Sequence, residues 1–302
     1  MCIRDSYPHH MRWLLAERGG GLERAGVYTG DVFFTDISTR AAINAVLAYM
    51  FGGLLRRVAC RLRPYERIPG ETDQVLDWAV ARLHAAFATG ESTDAALDEV
   101  IRRFEKIRIR PEQRPKVAIF GDLYSRDNRA MNQDLVRFIE AHGGEVVSTP
   151  YNEYARMIAF PYLRKWFTEG RYLTALTNRT LMAVVGLLER HYYRYFQRIL
   201  GEPMAVFDDD LNAILAPYGV RQEHAGESLD NLIKVHYLKK HHPDLSLFVQ
   251  ASPALCCPSL VTEAMARRIE AVTGVPVVSI VYDGTGDAKN APIIAHLQYP
   301  RR

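Results

Sequence analysis

Two adjacent cysteines, Cys256 and Cys257, stand between an apolar run and a helical pattern, where a thiol is best placed to do chemistry. The run Leu245 to Val249 has the pattern of a buried parallel strand. The chain then breaks at Ser252-Pro253 and delivers the two thiols. Pro258 suits the first turn of a helix, because its missing N–H would be unpaired there anyway. The spacing of Leu260, Val261, Ala264, Met265, Ile269 and Val272 predicts one helix running to Gly274, with Glu263 near its positive end. A cysteine in that turn has three readings. Its pKa can be lowered for redox work. It can ligate a soft metal or an iron–sulfur cluster. It can also be a small buried residue without chemistry.

Other chemistry-bearing residues fall where neighbouring strands should end. Lys116 to Phe120 predicts a strand that runs out into Gly121-Asp122-Leu123-Tyr124. Val275 to Val281 predicts another, ending in Tyr282-Asp283-Gly284. Tyr124 and Asp283 are therefore candidates for lining a cleft with Cys256. His224 and Glu227 lie in a polar stretch ahead of an apolar helix, Leu229 to Lys240. They could act as an acid/base pair, since histidine exchanges protons near neutrality, or Glu227 or Ser228 could simply cap that helix.

These residues need a scaffold, and the alternation of patterns supplies one. The strand at Lys116 is followed by a helical pattern from Asn128 to His142, then by a strand from Glu145 to Ser148 and the turn Pro150-Tyr151-Asn152-Glu153. That is a βαβ unit, and such crossovers are right-handed. It carries no GxGxxG, so a dinucleotide site is not indicated. Four strands would present GDLYSRDN, PYNE, SPALCCP and YDGTGD at one carboxyl edge, the edge where ligands of open α/β sheets bind. The expected fold is α/β, a flavodoxin-like parallel sheet over residues 113–302, with a helical insertion at 154–200. A small helical unit over 31–112 precedes it, and residues 1–30 read as an unstructured stub or truncated end.

Within the helical unit, Thr35 to Leu62 predicts a helix capped by Asp36 or Ser38, with Gly52-Gly53 as a bend. Cys60 lies on its last turn among arginines; a helix end with cations at its negative pole explains that without a thiolate. Thr72 to Thr89 and Thr93 to Ile107 predict two more helices, and Arg108 to Pro115 a basic linker. The insertion holds Tyr192, Tyr193, Tyr195 and Phe196 interleaved with Arg190, Arg194 and Arg198. Base stacking is conceivable there, but packing over the sheet edge or against a partner is the simpler reading.

Composition excludes several classes. The chain has 302 residues, 48% hydrophobic and 24% charged, which leaves room for two domains in an ordinary globular protein. A formal net charge of +3 does not argue for nucleic acid. The apolar run Leu181 to Leu188 is too short for a bilayer. Four cysteines do not make a disulfide framework, so a reducing cytoplasm is expected. The N-terminus lacks the apolar core of a signal peptide, and the chain is expected to be the C-terminal part of something longer.

SPALCCPSLVTEAM followed by GVPVVSIVYDGT resembles the C-terminal domain of the 2-hydroxyacyl-CoA dehydratase family, of the 2-hydroxyglutaryl-CoA dehydratase D-component type, found alone or fused to an activator ATPase as a CoA-substrate-specific enzyme activase. RLRPYE at Arg61 to Glu66, KVAIFGDLYSRDN at Lys116 to Asn128 and HAGESLDN at His224 to Asn231 extend the similarity from about Gly30 to the end. The resemblance implies a 4Fe-4S type cluster between two flavodoxin-like domains, low-potential electrons from an ATP-driven activator, and radical dehydration of a 2-hydroxyacyl-CoA. It places the ligand on Cys256, with Cys257 as the alternative. A cubane takes about four ligands, and the family's other ligand cysteines belong to an N-terminal domain absent from this sequence. The expected partners are therefore a cysteine-bearing domain or subunit, the activator ATPase and an acyl-CoA. There is no GxxxxGK[ST], so no ATP site is expected in this chain.

Overall fold

A computed structural model of the chain describes residues 7–27, 39–224 and 226–300. It divides into two compact units, Met1–Leu47 and Ala48–Arg302. In the first, α1 (Tyr7–Arg18) forms where an unstructured stub is expected. Its Met, Leu, Ala, Glu and Arg residues favour helix, and Gly19 ends it at a φ of 60°. The capping residues expected at Asp36 and Ser38 lie outside the described residues.

The second unit is α/β with an all-parallel four-stranded sheet, as expected from the sequence. Its strands are β1 (Lys116–Gly121), β2 (Glu145–Val147), β3 (Leu245–Pro253) and β4 (Val277–Tyr282), in the order β2-β1-β3-β4. That order fits a flavodoxin-like arrangement. Helices cover both faces. One face packs Ala118, Phe120 and Phe248 against Leu232, Ile233 and Val235 of α10 (Glu227–His241), Ile214 of α9 (Leu211–Leu215) and Ile269 of α12 (Ala266–Thr273). The other packs Val117, Ile119, Leu247 and Val249 against Leu135 and Ile139 of α6 (Leu135–Ala141) and Ile293 and Leu297 of α13 (Ile293–Gln298). Alternate residues of β1 and β3 thus serve opposite faces, which is why both strands read as unbroken apolar runs.

Cys60 belongs to the second of these clusters. It lies on α2 (Thr39–Leu62), is buried, and its thiol is pushed up to about 12 by that burial. Gly52-Gly53 does not interrupt α2. A Cβ on Gly53 would meet the Cβ of Pro150 at 2.9 Å, so glycine there admits the turn after β2. By length and hydropathy (mean hydropathy 1.2) one helical stretch among the described residues, Arg40–Tyr65, could cross a membrane; half of it is buried by the chain itself.

The RLRPYE stretch ties the helices to the sheet. Arg61 donates to Glu145 at 2.9 Å, Tyr65 donates to the same carboxylate at 2.5 Å, and Arg63 bonds Glu140 at 2.8 Å. The Glu66 carboxylate accepts from the N–H groups of Gly70 and Thr72 at the start of α3 (Glu71–Thr89). The expected linker at 108–115 is itself paired, with Arg110 donating to the Tyr65 carbonyl, so the helices and the α/β part share one compact unit. The insertion forms α7 (Tyr151–Thr168) and α8 (Tyr172–Leu200). The aromatic end of α8 packs inward: Tyr192 meets Phe51 edge-on at 5.1 Å, and Arg198 pairs with Asp98 and Glu105 of and beside α4 (Thr93–Phe104).

Two expected helices are broken. Residues 128–142 do not form one helix; α5 (Leu123–Asp127) and α6 flank a turn. Asn132 donates to the carbonyls of Ser125 and Arg126 and accepts from the Leu135 N–H, offering the backbone an alternative to helix. The helix after the cysteines is α11 (Cys257–Ala264), separated from α12 at Met265, whose φ of −91° and ψ of 0° bend the chain. Glu263 consequently stands at the end of α11, its negative pole, and not near the positive one.

Candidate functional site

Three parallel neighbours, β1, β3 and β4, end at one edge, with Gly121 paired to Ala251 and Pro253 to Tyr282. The segments that follow carry Tyr124, Cys256 and Asp283, so the topology brings these three to the same rim. Gly121 makes the first turn possible. Its φ is 108°, and a Cβ there would lie 2.4 Å from the Ala251 carbonyl oxygen. Asp122 then caps α5 through the Ser125 N–H at 2.7 Å, and Tyr124 emerges exposed.

Past Pro253, Leu255 takes a left-handed φ of 62° and points its side chain out, 76% exposed. Cys256 follows as the residue preceding α11, half-buried, and Cys257 is exposed in the helix's first turn with Pro258. The platform beneath them is held by buried polar contacts. The Gln250 amide, fully buried on β3, donates to the Ser259 carbonyl at 2.8 Å. Thr262 donates to the Pro258 carbonyl at 2.9 Å and accepts from Asn231 at 3.2 Å. Ser228, on the first turn of α10, donates to the Pro258 carbonyl at 3.2 Å. The start of α10, where exposed Glu227 sits, therefore abuts the cysteine turn. His224 ends a 3-10 turn at Gln222–His224, and its side chain lies outside the described residues.

Asp283 is occupied by its own loop. Its carboxylate accepts from the Thr285 hydroxyl at 2.6 Å and pairs with Lys289 at 3.0 Å, and these bonds hold it below the usual carboxylate range. It shapes the turn after β4.

Behind this rim lies a buried charged cluster that sequence reasoning missed. Asp230 and Lys234 sit on α10 among Leu229, Leu232, Ile233 and Val235. Tyr154 donates to Asp230 at 3.2 Å, and burial, first among the causes, pushes that carboxyl up to about 6. The Lys234 amine is fully buried, 4.6 Å from the centre of the Tyr154 ring and 3.5 Å from the Gly121 carbonyl. Burial, then the nearby Arg126 guanidinium, lower it well below its ordinary range. Arg126 is 3% exposed, and none of its three guanidinium nitrogens makes a hydrogen bond among the described residues. Its opposite charge is the Asp127 carboxylate, 3.5 Å from Nε, and a buried donor left without a hydrogen bond costs about 1–3 kcal/mol. The available signal was a charged i, i+4 pair, Asp230 and Lys234, interleaved with the apolar run Leu229, Leu232, Ile233 and Val235.

A cavity of about 270 Å³ opens at the end of β2, between the Gly52-Gly53 face of α2 and the Ser148-Thr149-Pro150-Tyr151 turn. A second, of about 70 Å³, lies at the opposite edge beside Lys116 and Glu145. No protein-family model, curated protein or solved structure matches this chain.

Among the described residues no three or more His, Cys, Asp or Glu side chains stand together as a metal-holding group, and Cys60 is locked in the core. Among the described residues the thiols outside the core are those of Cys256 and Cys257, so at this rim the chain offers one or the other as a ligand.

Proposed function

We propose that this chain is the carboxyl-terminal part of a cytoplasmic iron–sulfur component of the 2-hydroxyacyl-CoA dehydratase and activase type, and that Cys256 is its contribution to a cluster completed by another cysteine-bearing domain or subunit. The observation that supports this most directly is the half-exposed Cys256 thiol on the rim of the sheet, carried on a turn pinned from below by Gln250, Ser228 and Thr262. A thiol meant only for packing would sit as Cys60 does, enclosed by apolar side chains. When bound, the cluster would supply one-electron chemistry from the activator ATPase toward an acyl-CoA. This chain's own part is to aim the sulfur and hold the turn still.

The test is anaerobic purification of the complete gene product with and without Cys256→Ala. Loss of iron and of visible cluster absorption in the variant is expected. Iron content and absorption unchanged by the substitution would refute the assignment.

A second reading, a cluster-free domain that docks a partner through the helical insertion, draws on a different observation. Leu173, Leu176, Val184 and Leu187 are exposed along α8, while Tyr192 is buried in the chain and Tyr195 donates to Asp94. Under that reading Cys256→Ala leaves association intact, and Leu176→Asp with Leu187→Asp abolishes it.

A further inference from the structure

We propose that the cavity at the carboxyl edge of β2 binds a small organic monocarboxylate with a flat apolar body. The cavity holds about 270 Å³, enough for a metabolite-sized molecule, and lies at the sheet edge where open α/β folds take ligands. Its polar wall is formed by Arg56, Asp127, Ser148 and Thr149. Ser148 and Thr149 are among its lining residues, and their hydroxyl oxygens are buried beside it with no hydrogen-bond partner among the described residues. Hydroxyl protons in such positions suit an acceptor with several lone pairs, and a carboxylate has four such sites.

Charge points the same way. Of the lining residues only Arg56 and Asp127 are ionic, and they pair at 2.7 Å. The same Asp127 oxygen is also the nearest opposite charge to the buried Arg126, 3.5 Å from its Nε. Two guanidinium groups thus share one carboxylate, and the set carries one uncompensated positive charge beside the cavity. A single negative charge on a ligand balances it, and that charge gains strength where water is excluded. Tyr49 and Tyr151 supply the rest of the specificity. Both line the cavity, both are exposed, and their ring centres are 5.8 Å apart, so a flat body can lie against them. None of this rests on Cys256, which follows β3 and not β2.

The experiment is calorimetric titration of the 302-residue chain with 2-naphthoate, and with uncharged 2-naphthamide, at fixed ionic strength. Saturable one-site binding of the acid is expected, with the amide weaker by about tenfold or more. Thr149→Val and Arg56→Gln each weaken the acid by about tenfold and leave the amide nearly unchanged. Arg126→Met does the same if circular dichroism shows it folded; if it does not fold, the other two variants decide. Equal binding of acid and amide, no saturable binding of the acid by the unaltered chain, or acid binding insensitive to Thr149→Val and Arg56→Gln would overturn the proposal.

Discussion

The phenol of Tyr154 on α7 donates a 3.2 Å hydrogen bond to the Asp230 carboxyl on α10, and this contact joins the helical insertion to the helix that covers the centre of the sheet. Both groups are buried, and Lys234 lies against the Tyr154 ring one turn along. The covering of the sheet edge is therefore polar inside, with a carboxyl whose ionisation is opposed by its surroundings.

That opposition has a pH signature. The Asp230 carboxyl moves up from an ordinary 3.8 to about 6 on folding, so between those values the folded chain holds more protons than the unfolded one. This contribution to stability is present in full below about pH 4 and is lost as the pH rises through 6. Against Asp230→Asn, which cannot titrate, the native chain should lose about 1.4 kcal/mol per pH unit over that window, some 3 kcal/mol in all. Urea unfolding of both proteins from pH 4 to 7 measures it. A difference that stays flat across the window means Asp230 is not held as described.

Thiol accessibility separates the three cysteines described. With Cys2 replaced by serine, the folded chain should present two reactive thiols, Cys256 and Cys257, to an aromatic disulfide reagent. Cys60 should react only once the chain unfolds, because it is enclosed in the core and its thiol is pushed up to about 12. Three thiols titrating in the folded protein would contradict the burial of Cys60; one would contradict the exposure of the rim.

Gly121→Ala should destabilise the chain by about 2–4 kcal/mol, because the added Cβ meets the Ala251 carbonyl oxygen at 2.4 Å and the backbone is left-handed at that point. The midpoint of urea unfolding reads this out. A change below about 0.5 kcal/mol, the range of an indifferent surface substitution, would show that β1 and β3 part freely at the rim.

Much of the sheet was written in plain runs. VAIF, LSLFV and VVSIV are strands because each is a short apolar run that must turn at least one face to the core, and local composition suffices for that. The parallel order, and so the gathering of Tyr124, Cys256 and Asp283 at one edge, followed from the alternation of strands and helices. Pro258 in the first turn of α11 was legible for the same local reason, a missing N–H that only a helix start tolerates. Tertiary packing decided the rest. Asn132 broke a helix that its periodicity favoured, because carbonyls brought near by the turn competed for its amide. Gly53 became a point of close approach to Pro150, a neighbour about a hundred positions away that no local pattern announces. Asp230, Lys234 and Arg126 acquired their burial, and Asp230 and Lys234 their shifted protonation, only when helices from three parts of the chain closed over the sheet. Solvent exclusion is a property of the assembled fold, and no stretch of sequence carries it alone.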